Sequence, residues 1–146
     1  MTDVFDKKKR SEIMSKVKSK DTKIEIKVRR WLYNEGIRYR INCKDLPGKP
    51  DIAIKKYKIA IFINGCFWHG HENCKNSPLP KSNFEYWDKK IKNNIMRDKN
   101  NIDNLKKNGW NVFVLWECDL NANFEVIIKN LHKEVIYIKN KEMINN

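Results

Sequence analysis

The sequence predicts a single α/β domain, a central mixed β-sheet flanked by helices. Three observations carry that prediction. Two short apolar runs, Asp51–Lys56 and Ile59–Asn64, stand on either side of a brief polar break, as the strands of a hairpin do. An amphipathic segment with a helix-start signal precedes them. A longer one separates them from a further apolar run, Trp110–Trp116. The resulting order is α-β-β-β-α-β-α, and 146 residues leave room for one ordinary domain and not two.

Residues 1–20 are polar and basic without an apolar period, and read as an arm. The domain proper spans 21–135, and 136–146 reads as a polar tail. Thr22 with Glu25 is a capping-box pattern. Ile24, Val28, Trp31 and Leu32 follow at helical spacing until Gly36 ends the helix. Ile37–Ile41 reads as a short strand and Pro47-Gly48-Lys49-Pro50 as a loop. A two-residue turn at Tyr57-Lys58 would set Lys56 opposite Ile59 and Asp51 opposite Asn64; a one-residue slip sets Asp51 against Ile63. In either register a carboxylate meets a strand end. Ser82 with Glu85 repeats the capping-box pattern and opens a helix reaching about Lys107, stopped by Gly109. Its apolar stripe is Phe84, Trp87, Ile91, Ile95, Ile102 and Leu105, and Asp98 falls where an apolar residue is due. The strand Trp110–Trp116 and a helix near Phe124–Leu131 complete the domain.

The composition, 40% hydrophobic and 34% charged, suits a soluble globular chain. No apolar stretch approaches the roughly 20 residues of a membrane helix, and no secretory apolar core opens the chain, so a cytoplasmic location without membrane attachment is expected. The formal net charge is +13 and uneven: residues 1–49 hold fifteen basic and seven acidic side chains, residues 50–146 sixteen and eleven. Such an excess implies an anionic partner and salt-dependent phosphate contacts, although a solvated lysine-rich surface has the same composition.

The chemistry concentrates in Asn64-Gly65-Cys66-Phe67-Trp68-His69-Gly70-His71-Glu72-Asn73-Cys74. Cys66, His71 and Cys74 form C-x4-H-x2-C, and Cys118 follows the last apolar run. Zinc takes four N or S ligands tetrahedrally, and thiolates with imidazole are its preferred set. Closed to four protein ligands, such a site is structural and leaves Cys43 over. Disulfides or unrelated buried thiols are the competing uses, the former disfavoured in a reducing compartment. With His71 on zinc, His69 is available for other work, or is a surface residue. Hard cations such as Mg²⁺ want oxygen ligands, which the Asp51 carboxylate and the Ile63 carbonyl could supply. Phe67 and Trp68 occupy a Gly-flanked loop among polar neighbours, an awkward place for core residues. Flat rings there can pack inward, or slide between base pairs.

These residues resemble a known family. Arg10-Ser11, Met14, Asp21-Thr22 with Glu25, Leu46-Pro47-Gly48-Lys49-Pro50-Asp51, Gly65-Cys66-Phe67-Trp68-His69, Trp87 with Lys90-Ile91 and Asn94, Arg97-Asp98, and Gly109-Trp110 with Trp116-Glu117-Cys118 look like the very short patch repair (Vsr-type) DNA mismatch endonucleases. The match runs in order from about residue 3 to residue 120. It implies a restriction-endonuclease-like fold with a structural zinc, and a Mg²⁺-dependent nick 5′ of the mispaired T in T:G mismatches left by 5-methylcytosine deamination. The resemblance makes Asp51 the metal-bridging carboxylate with the Ile63 carbonyl, and His69 the general base or water-positioning group. Glu25 would hold metal-bound water and Asp98 would pair with an active-site group. Cys66, His71, Cys74 and Cys118 would bind Zn²⁺. Phe67, Trp68 and Trp87 would be wedges, Lys90 and Asn94 contacts near the mismatch, and Met14 a minor-groove contact. Asn64 stands where some members carry His, so it can only hydrogen-bond, and the His71-to-Cys74 span is one residue longer than in the best-known members.

The implied partner is double-stranded DNA with a T:G mismatch, read by a monomer because the mismatch is asymmetric. A cytosine-5 methyltransferase and mismatch-repair proteins belong to the same pathway. Two other readings of the residues stand beside this one: a restriction-like endonuclease cutting matched double-stranded DNA, and a noncatalytic zinc-containing DNA-binding module.

Overall fold

Alternation along one six-residue strand organises the molecule. In a computed structural model that describes residues 22–72, 74–75 and 78–145, strand β3 (Ile59–Asn64) is buried along its whole length. Ile59, Ile61 and Ile63 point to one face of the sheet, Ala60 and Phe62 to the other. This is the period of two that a strand imposes, here with apolar residues at both phases because both faces are covered. The first face packs against α1 (Lys23–Asn34) through Val28 and Leu32, and against α3 (Glu117–Asn145) through Leu120, Phe124, Ile128 and Leu131. The second face packs against α2 (Phe84–Lys107) through Leu105 and Ile102.

The sheet has four strands in the order β1 (Arg40–Ile41), β2 (Ile52–Ile54), β3 and β4 (Asn111–Trp116). The first two pairings are antiparallel and β3 with β4 is parallel, so the sheet is mixed and α2 supplies the long crossover that a parallel pair requires. The expected α/β class, element order and mixed sheet are those observed.

Four local expectations are corrected. The strand expected over Ile37–Ile41 pairs only at Arg40 and Ile41. The β2–β3 connection is four residues, a 3₁₀ turn at Lys55–Tyr57 and then Lys58 in the left-handed region (φ 52°). The register is therefore Ile54↔Ile59 and Ile52↔Ile61, and neither Asp51 opposite Asn64 nor Asp51 opposite Ile63 holds. At the start of α2 the cap is Asn83 in the left-handed region, without a side-chain cap bond. A helix beginning at Phe84 puts Glu85 one place short of the third helical position that a capping box needs. Finally, α3 begins at Glu117, bends at Asn123 (φ −142°, ψ 53°) and continues to Asn145, through the stretch read as a polar tail. Val135 (buried) and Ile138 extend the apolar row of Ile128 and Leu131 onto the core, which gives the helix a reason to persist.

By contrast, the first capping signal is realised: Thr22 Oγ1 accepts the Glu25 N–H at 3.2 Å. No helix among the described residues is long and apolar enough to cross a membrane.

Candidate active site and metal centre

The C-terminal end of β3 and the bend that follows hold most of the chemistry. Asp51 lies just before β2, and its Oδ2 accepts the backbone N–H of Ile63 at 2.6 Å. Burial pushes its carboxyl up to about 6 from the usual 3.8. The Ile63 N–H bond opposes that shift, the nearby Glu25 adds to it, and His69 and Arg29 oppose it. Asp51, Glu25 and His69, far apart in sequence, are therefore close enough for their charges to interact. Glu25 is itself buried on the first turn of α1 and pairs with Arg29 one turn on at 3.3 Å.

His69 is gripped from behind. Its Nδ1 lies 2.5 Å from Asp98 Oδ2 on α2. An ionised carboxylate only accepts, so the proton belongs on Nδ1 and the Nε2 lone pair is left for other use. This contact accounts for the polar gap in the stripe of α2. That helix packs on the sheet through Ile102 and Leu105 in its second half; its first half runs beside the bend, where Ile91 is buried and Phe84 and Ile95 are 52% and 43% exposed.

The bend itself is tight. The N–H groups of His69, Gly70 and His71 donate to the carbonyls of Gly65, Phe67 and Cys66 at 3.2, 3.3 and 3.0 Å. Gly70 has φ +56°, and a Cβ there would stand 2.6 Å from Ile95 and 2.7 Å from Ile91, so only glycine lets the bend sit this close to α2. Asn64, the last residue of β3, is buried beside its parallel partner Trp116.

Cys66, His71, Cys74 and Cys118 converge, with their ligand atoms all within 4.8 Å of one another. Cys118 Sγ is 3.4 Å from His71 Nδ1. Tetrahedral zinc with ordinary Zn–S and Zn–N lengths sets sulfur and nitrogen about 3.6 Å apart, so the donor set fits that ion. The extra residue between His71 and Cys74 does not prevent convergence. The His71 ring stacks on Trp116 at 4.0 Å and 7°, which fixes its plane. Burial pushes the Cys66 thiol up to about 12 and raises that of Cys118. Cys43 is buried and lies outside the cluster.

Phe67, Trp68 and Trp87 form a triangle of edge-to-face rings, with centroids 5.2, 5.5 and 5.8 Å apart. None of the three is fully buried. Beside them lies a cleft of about 870 Å³, lined among others by Glu25, Ile63, Asn64, Trp68, His69, Lys90, Asn94 and Arg97. Lys90 is exposed, but Asn94 is buried and hydrogen-bonded within the protein. Met14 and the basic arm lie outside the described residues.

Several contributors were not singled out from the sequence. Lys23 and Lys27 add positive charge to the cleft, and Glu117 and Asn121 also line it. Trp116 orients His71, and Arg29 pairs with Glu25. A signal existed for some of them. Lys23 and Lys27 stand at i, i+4 on one helix face, and Arg97 continues the face of Lys90 and Asn94, which the sequence had already singled out. Arg29 had one as well, at i, i+4 from Glu25 on the same helix, whereas Trp116, singled out only as part of the resemblance, meets a His71 that lies far away in the chain.

The sequence has known counterparts. Residues 2–76 match the family model described as DNA mismatch endonuclease Vsr. The chain is 47% identical over 139 residues to the type II nicking enzyme V.NmeAIP of Neisseria meningitidis, covering 95% of this chain and 98% of that one. It is 43% identical over 120 residues to the type II nicking enzyme V.XorIIP of Xanthomonas oryzae pv. oryzae, covering 82% and 88%. It is 39% identical over 120 residues to the DNA mismatch endonuclease Vsr of Escherichia coli K12, covering 82% and 76%. A noncatalytic binding module is thereby set aside, and the chain belongs to the Vsr family of DNA mismatch endonucleases.

Proposed function

We propose that this protein is a Mg²⁺-dependent, strand-specific nickase that cuts 5′ of the mispaired T in T:G mismatches arising from 5-methylcytosine deamination. The observation that carries the reading is one cleft lined by Glu25, Ile63, Trp68 and His69, with the Asp51 carboxylate on the Ile63 N–H, Asp98 on His69, and Phe67 and Trp87 against the Trp68 ring. The names of its relatives, mismatch endonuclease and nicking enzyme, point the same way.

Asp51 and the Ile63 carbonyl are the oxygen ligands that would hold Mg²⁺. Bound there, the ion supplies Lewis-acid polarisation of the phosphodiester. The fit rests on the carboxylate: burial disfavours its charge, and a divalent cation would favour it again. His69, held through Nδ1 by Asp98, presents Nε2 to take the proton from the water that attacks phosphorus. Glu25 and Asn64 orient that water by hydrogen bonds, Asn64 without any acid–base role. Cys66, His71, Cys74 and Cys118 would hold Zn²⁺ with four protein ligands, and a site closed in that way would staple the bend to the start of α3.

The rings insert at the mismatch, where a wobble pair already stacks poorly and unstacking costs less than at a matched step. Lys90 and the arm residue Met14 contact the duplex nearby. The asymmetry of T:G suits a monomer, acting in a pathway with a cytosine-5 methyltransferase and mismatch-repair proteins. The test is Mg²⁺-supplied cleavage of T:G and matched C:G duplexes in varied sequence contexts, each strand labelled separately. A single nick beside T in the T:G duplex is expected. Double-strand breaks in matched DNA would instead identify a restriction-like enzyme.

A further inference from the structure

Asn94 is more than a surface amide beside the cleft. It is 8% exposed, and both ends of its side chain are engaged. Arg97 Nη2 donates to Asn94 Oδ1 at 3.1 Å, and Asn94 Nδ2 donates to the Trp68 carbonyl at 3.0 Å. A guanidinium can only donate and a carbonyl can only accept, so the amide has one orientation that satisfies both. The bend's own backbone bonds use the carbonyls of Gly65, Cys66 and Phe67, and that of Trp68 is taken by Asn94.

The neighbouring contacts extend the pattern. One turn along α2, Asp98 holds His69; Ile91, one turn back, and Ile95, the next residue, receive Gly70. Positions 91, 94, 95 and 98 make one face of a helix. Three successive bend residues, 68, 69 and 70, thus dock on a single rigid rail, and the second of them is the proposed base.

We infer that Arg97 and Asn94 are positioning residues, forming a strut that holds the Trp68 carbonyl and so places the wedge and His69 in one frame. Insertion of Trp68 and placement of the base then cannot be set independently. The inference rests on the reading of Phe67 and Trp68 as mismatch wedges, and it gives Asn94 a task in the free protein, before DNA arrives.

The test uses the full-length, zinc-loaded chain with Arg97→Ala, Asn94→Asp and Arg97→Lys. In the free protein, hydrogen exchange is read at the backbone N–H groups of His69, Gly70 and His71, with zinc content and melting temperature followed alongside. Loss of a bond to a charged donor is expected to speed exchange there about tenfold in Arg97→Ala. Asn94→Asp, which sets a carboxylate against the Trp68 carbonyl, is expected to do the same. Arg97→Lys keeps a charged donor and is expected to recover most of the protection. In single-turnover nicking at saturating enzyme, the ratio of T:G to C:G cleavage is expected to fall about tenfold in the first two variants.

Unchanged exchange in Arg97→Ala, with weaker T:G binding, would overturn the strut and leave these residues as DNA contacts. If Arg97→Ala does not fold, Asn94→Asp decides by the same exchange measurement, wild-type protection refuting the strut. A wild-type enzyme with no preference for T:G over C:G would defeat the proposed function, whereas the exchange arm, which contains no DNA, would still decide the strut.

Discussion

Replacing Asp51 with Asn is expected to stabilise the Mg²⁺-free protein while abolishing nicking. The magnitude follows from the carboxyl's folded-state value of about 6 against 3.8 when unperturbed. Each unit is worth about 1.4 kcal/mol, so keeping this group ionised costs the fold up to about 3 kcal/mol. The direction follows from which state binds the proton more tightly. Here it is the folded state, so stability is intact below about pH 4, falls as pH rises toward about 6, and stays lowered above that. Asparagine has nearly the same shape, can still accept the Ile63 N–H through its side-chain oxygen, and carries no charge to desolvate.

The assay is thermal unfolding of zinc-loaded wild type and Asp51→Asn at pH 8 and pH 4.5, without and then with Mg²⁺. At pH 8 without Mg²⁺ the variant should melt higher, by up to about 10 °C for a chain of this size. Most of that advantage should vanish at pH 4.5. Added Mg²⁺ should raise the wild-type melting temperature and leave the variant's unchanged, because only the carboxylate gains a ligand. A variant equally or less stable at pH 8, or one whose advantage persists undiminished at pH 4.5, would refute the reasoning.

Other outcomes follow from the same geometry. Asp98→Asn should lower single-turnover nicking on the order of 100-fold or more, with T:G affinity nearly kept in a gel-shift titration, because it disturbs the tautomer of His69 and not the DNA surface. Cys74→Ser should abolish stoichiometric zinc measured by elemental analysis and lower the melting temperature, since a structural zinc site contributes directly to folding. Gly70→Ala should destabilise the protein by about 1–3 kcal/mol in urea titration, from its left-handed backbone and the clash with Ile91 and Ile95. Phe67→Ala and Trp68→Ala should each weaken T:G binding by about tenfold or more while changing matched-duplex binding less. Equal losses on both duplexes would count against insertion.

Much of the candidate site was legible because its residue types are uncommon in combination. Three cysteines and a histidine at zinc-like spacing identify one another before any fold is known, and they do converge. Asp98 announced itself as a break in the stripe of α2, and it meets His69. The capping signal at Thr22 was readable because both groups lie within one turn. The similar signal at Ser82 failed because α2 starts at Phe84, after Asn83 in the left-handed region, which leaves Glu85 at the second helical position. The β2–β3 register failed in the same way: a 3₁₀ turn and a left-handed Lys58 lengthened a connection that the residues alone allowed to be shorter. Asn94 reads as a polar residue facing DNA until its two partners are seen.

The sequence by itself determined which groups this protein has to work with: the soft ligand set, the hard carboxylate, the rings and the excess of positive charge. It also determined the alternation and the helical stripes that build a covered mixed sheet, since those periods depend on neighbours in the chain. Only the tertiary structure decided which of these groups meet. Asp51 reaches Ile63 across 12 positions, His69 reaches Asp98 across 29, and His71 reaches Cys118 across 47. Desolvation, ring orientation and hydrogen-bond partners are set by how distant segments pack, and no local pattern encodes that packing.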